Sequence, residues 1–185
     1  MAISLRPRGR DNGLFSGELL TQTMSEVPGR VGRAFADHAG FEEVSQDEYA
    51  STKTPFDAVV TVETTESSHV RFDVEVRVPT LSAVVEGDVA DVVEEGWTET
   101  FEIRIADAKG VTRKEHGVEP TVEGAGETLV VRVSFTDINE RRGVDDAAAL
   151  VTFVEGPYVQ GVIPGYEYTE PVSSIMSSAR DAGGF

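Results

Sequence analysis

The chain has 185 residues and no cysteine, which suits one domain of ordinary size and removes disulfides, thiolate metal sites and cysteine nucleophiles together. Its 39% hydrophobic content comes in periodic runs, enough for a real core and against wholesale disorder. With 33 acidic against 16 basic residues the formal net charge is −17, a field that opposes phosphate backbones and makes direct nucleic-acid binding unlikely.

Residues Met1 to Thr23 stand apart from the rest of the chain. Arg6, Arg8 and Arg10 outnumber the acids there, and Pro7, Gly9, Gly13 and Gly17 break any periodicity. Residues 1–23 are expected to be an unstructured leader or an extension from an upstream start. A basic arm for nucleic acid or membranes is the alternative, carried by three arginines. The single domain is expected over residues 24–170, with 171–185 as a tail that forms a frayed helix or stays mobile.

Ser25 to Gly40 reads as a first helix: Ser25 can cap it, Pro28 sits in the first turn, and Val31, Ala34 and Phe35 share a face. Phe41 to Thr52 reads as one strand of modest quality. Phe56 to Thr64 comes next as a second strand with Phe56, Ala58, Val60 and Val62 inward. The polar residues Thr65 to His69 then form a hairpin loop.

The strictest pattern in the chain is Val70 to Val78. Val70, Phe72, Val74, Val76 and Val78 alternate with Arg71, Asp73, Glu75 and Arg77, the period of a half-buried strand at the centre of a sheet. After Pro79, a second helix is expected from the recurrence of Val89, Val93, Trp97, Phe101 and Ile105, with Asp88 as its cap and Lys109-Gly110 as its end. Trp97 reads first as a core anchor and second as a ligand-stacking ring.

His116 falls in a polar loop. Glu119 to Glu123 reads as a short strand before the Gly124-Ala125-Gly126 turn. Leu129 to Thr136 reads as the next strand, with Leu129, Val131, Val133 and Phe135 inward. Asp137 or Asn139 can cap a last main helix with Val144, Ala147, Leu150, Val151 and Val154 on its apolar face. Gly156-Pro157 must kink or end that helix.

These elements give an α+β domain, an antiparallel sheet of about five strands covered by three helices in the order α-β-β-β-α-β-β-α. No catalytic motif is present. His38, His69 and His116 show no metal-ligand spacing, no serine lies in a G-x-S-x-G turn, and no glycine-rich loop has a phosphate-loop setting. The acid pairs Glu94-Glu95 and Asp145-Asp146 read as solvated surface. No cofactor and no metal are expected. The apolar runs are too short to span a bilayer and no segment reads as a signal peptide, so the expected location is the cytoplasm, away from membranes.

Tyr158, Gln160, Tyr166 and Tyr168, with Trp97, are the candidate binding residues. Tyrosine joins apolar area to a polar tip, which suits a recognition surface as well as the closure of a core. A protein partner or a second copy of the chain is the expected ligand. The alternative is a small ligand or substrate in a pocket between the sheet and the last helix.

The dispersed acids, with only Lys53, Lys109 and Lys114 as lysines, resemble a haloarchaeal cytoplasmic protein. In molar salt the Debye length falls to about 3 Å and self-repulsion is screened. From Met24 to about Tyr168 the phrases PGRVGRAFADHAGF, FDAVVTVE, VADVVEEGWTETFE and FVEGPYVQGVIPGYEY resemble an uncharacterised haloarchaeal family, a domain of unknown function. That resemblance implies no activity and no catalytic residues. The element order is similar to the type III secretion chaperone-like fold, which implies a bent antiparallel sheet under helices and a chaperone-like module.

Overall fold

The computed structural model describes residues 29–67 and 69–183. The expected leader, and the start of the first helix with Ser25 and Pro28, lie outside the described residues. Six strands form one open antiparallel sheet in the order β1-β2-β3-β4-β6-β5. They are β1 (Phe41–Ser45), β2 (Glu48–Ser51), β3 (Asp57–Thr64), β4 (Val70–Pro79), β5 (Thr121–Ala125) and β6 (Thr128–Asp137).

The α+β class and the antiparallel sheet hold, with six strands among the described residues against the expected five or so. The expected strand Phe41 to Thr52 is a hairpin folded at Gln46-Asp47. Asp47 has φ 64°, a left-handed turn that aspartate tolerates better than most residues.

β4 has a strand on each flank, and its five alternating apolar side chains are all buried. Across the inner face Phe72 sits opposite Val62 and Phe135, Val74 opposite Val60 and Val133, and Val76 opposite Ala58 and Val131. Phe72 and Phe135 stack at 5.0 Å. The outer face carries charge instead. Arg71 pairs with Asp73, while Arg132 bridges Glu75 and Glu123.

The helices are α1 (Gly29–Ala36 as described), α2 (Leu81–Val84), α3 (Asp91–Ile105), α4 (Glu140–Phe153), α5 (Glu155–Gln160) and α6 (Val172–Gly183). The expected count of three is therefore too low. α2 and α5 are too short to show a helical period in sequence. α3 starts after Ala90 with no side-chain cap, so Asp88 does not cap it, and Val89 precedes the helix. Glu94 instead reaches back to α2, accepting the N–H groups of Leu81 at 3.0 Å and Ser82 at 2.6 Å. Asn139, one of the two expected caps, accepts the Arg142 N–H at 2.9 Å to start α4. Pro157 falls in the first turn of α5, where its missing donor costs least, and Val154 alone separates the end of α4 from the start of α5.

α4 lies against β4 with Val144, Ala147, Leu150 and Val151 buried beneath it. Contact is closest at Gly143, where a Cβ would overlap the Phe72 ring. Val172 and Ile175 of α6 are buried.

Candidate functional site

Four of the five candidate binding residues converge on one groove, in different roles. Gly96, Trp97, Thr100 and Arg104 of α3 form one wall and Gln160 to Pro164 the other, around about 320 Å³. Thus Trp97 and Gln160 line the groove. The opposite wall is irregular backbone held by two side chains. Trp97 Nε1–H donates to the Gly161 carbonyl at 2.9 Å. The Tyr168 hydroxyl accepts the Ile163 N–H at 2.9 Å and donates to the Ile163 carbonyl at 3.1 Å. Gly161 is required here, because a Cβ would stand 2.7 Å from Trp97 Nε1.

Tyr158 lies beneath and not in the groove. It is 2% exposed, packs edge-on against Phe56, Trp97 and Phe101, and donates its hydroxyl hydrogen to the Pro79 carbonyl at 3.1 Å. Burial holds its phenol far above the ordinary tyrosine value. Tyr158 thus belongs to the core, its ring the floor on which Trp97 rests. Tyr166 lines a neighbouring cleft with Tyr168, Ser173, Met176 and Arg180.

Among the described residues four large apolar side chains are strongly exposed, and two of them, Val92 at 74% and Ile103 at 73%, are on α3. On a helix they fall eleven residues, close to three turns, apart and share a face with Gly96. At Gly96 a Cβ would meet nothing within 4 Å, so the missing side chain opens that face. Glu95, Glu99 and Glu102 are exposed on the flank of α3 away from Trp97 and Arg104.

Sequence reasoning missed a second constellation. Asp146, expected at the surface, is fully buried. It accepts from His116 Nε2 at 2.8 Å and from the Arg113 N–H at 2.8 Å. Asp137, also buried, takes Arg142 in a fork at 2.6 and 2.8 Å, accepts the Asn139 N–H at 2.8 Å, and stands 3.7 Å from His116 Nε2. Burial alone would raise the Asp137 carboxyl, but Arg142 and the Asn139 N–H outweigh it and hold the group below the ordinary aspartate range.

The adjacent Asp145 stays partly exposed and pairs with Arg113 at 2.9 Å, with His38 at 3.9 Å. The signal for Asp146 was present: it stands four residues before Leu150 and next to Ala147, on the buried stripe of α4.

His116, Asp137 and Asp146 each offer an atom within 4.8 Å of the others, a set able to hold a divalent cation. All four carboxylate oxygens nevertheless already accept from protein donors, and Arg142 supplies the compensating charge. A cation there would compete with those donors and with the positive charge of Arg142. The geometry is that of an ion-pair clip, tying the His116 loop to the end of β6 and to α4.

The fold and these two constellations define an α+β domain with a surface groove and a buried ionic clip. The chain belongs to a family of unknown function, DUF5813, whose model matches residues 36–178. No curated protein and no solved structure matches it. Among the described residues no helix is long and apolar enough to cross a membrane.

Proposed function

We propose that the domain is a small protein-binding module that seats an apolar segment of a partner in the α3 groove. The observation that carries this is the placement of Val92 and Ile103, each more than 70% exposed, on the face of α3 that Gly96 opens. Exposed apolar side chains beside a concave apolar wall mark recognition surfaces. The partner segment has one large apolar anchor, with lysine or arginine where it crosses Val92 and Ile103, because Glu95, Glu99 and Glu102 are exposed on the flank of α3 beyond them. Arg104 and Gln160 offer donors to its backbone carbonyls.

Capture of apolar segments is also what a chaperone-like module does. The net charge of −17 supports a halophilic, haloarchaeal cytoplasmic setting in which molar salt screens the acids and apolar burial carries the affinity. A peptide library selected on the full chain in molar potassium chloride tests the reading. Enriched sequences should carry the anchor with basic flanks, and Gly96→Leu should abolish their binding without lowering the unfolding midpoint. Selection of sequences whose binding ignores Gly96→Leu, or of none, refutes it.

A further inference from the structure

We propose that the cleft between α1 and the start of α4 is a binding site for a small phosphomonoester. Arg30 and Arg33 of α1 and Arg141 of α4 line one cavity of about 290 Å³, together with Asp37, Asn139 and Glu140. Three guanidiniums against two carboxylates leave it with a formal charge of +1, inside a chain whose net charge is −17.

Two of the guanidiniums are each paired with a single carboxylate oxygen. Arg30 pairs with Glu140 at 3.2 Å and Arg141 with Asp37 at 2.7 Å, and the arginine side chains are 72% and 77% exposed. Asp37 is 60% exposed as well, so that pair contributes little and its guanidinium is open to a better acceptor, while Glu140, 13% exposed, holds Arg30 from the wall of the cleft. Arg33, also exposed, makes no ion pair among the described residues.

The cleft meets the amino end of α4, a helix of 14 residues. Asn139 satisfies the Arg142 N–H, while the preceding first-turn N–H groups have no acceptor within the helix. Three guanidinium forks beside such an end present more donors than a carboxylate's two oxygens can use. A phosphomonoester brings three terminal oxygens and up to two negative charges. The overall acidic field opposes a long polyanion, which selects a small ligand over nucleic acid. The site uses none of the groove residues, so it stands or falls separately from the protein-binding reading.

Calorimetric titration of the full chain with inorganic phosphate and with a nucleoside monophosphate tests it. Saturable one-site binding of at least one probe is expected. Arg33→Gln, which breaks no ion pair, should weaken it at least tenfold with an unchanged unfolding midpoint. Arg77→Gln, on the outer face of the sheet, should bind as the wild type does. Failure of both probes to saturate, undiminished binding by Arg33→Gln, or equal weakening by Arg77→Gln overturns the proposal.

Discussion

His116 and Asp146 meet at 2.8 Å across 30 positions of sequence, with side chains 1% and 0% exposed. Asp146 is the only acceptor for His116 Nε2 at hydrogen-bonding distance among the described residues, and it also holds the Arg113 N–H. His116 Nδ1 has no partner among the described residues. The bond to a carboxylate thus places a proton on Nε2.

Asp146→Ala strands a buried imidazole N–H and a backbone N–H at once. It should lower the unfolding free energy by about 3 kcal/mol. Asp145→Ala, one residue away but part-exposed, should change it by no more than about 0.5 kcal/mol. Denaturant melts of the two variants decide the matter, and equal losses would reject the distinction between buried clip and surface acid.

Asp137 makes part of the stability pH-dependent. Its folded carboxyl titrates below the ordinary value of 3.8, so its charged form stabilises the fold above that value. The contribution is lost as pH falls through the lower folded value. Asp137→Asn should be less stable than the wild type at neutral pH and should converge with it in strong acid. Unfolding midpoints followed from neutral pH downward would contradict this if the two curves stayed parallel.

Gly143→Ala sets two effects against each other. Helix propensity alone favours alanine by about 1 kcal/mol. The added methyl overlaps Phe72, a ring with no exposure that is stacked on Phe135, and overpacking of this kind costs about 1–3 kcal/mol. Net destabilisation is expected, and Phe72→Leu in the same chain should recover part of it. A more stable Gly143→Ala would show that the helix can shift away freely.

Raising potassium chloride to molar concentration should raise the unfolding midpoint. Glu95, Glu99 and Glu102 lie at three- and four-residue spacings on α3, where like charges repel. Replacing all three with glutamine should reduce the salt slope. Should the slope be unchanged, salting-out of apolar surface and not carboxylate repulsion is its cause.

The half-buried sheet was legible in the order of residues alone. Strict alternation places Val70, Phe72, Val74, Val76 and Val78 inward, and period two is a local property that needs no knowledge of the neighbours. The faces of β3, β6, α3 and α4 were legible for the same reason, as was the end of α4 ahead of Gly156-Pro157. The Phe41 to Thr52 hairpin was not, since Asp47 carries the turn without the usual glycine, and four- and six-residue helices show no period.

Tertiary structure alone decided where the candidate residues lie. Whether a tyrosine is floor or surface depends on what lies above it, and Tyr158 is roofed by Trp97 and Phe101 from far earlier in the chain. The clip of His116, Asp137 and Asp146 joins a loop, a strand end and a helix. Hydrogen bonds between such distant residues leave no fixed spacing behind them. The buried position of Asp146 was written in the period of α4, but its reason for being there lay 30 residues away in His116.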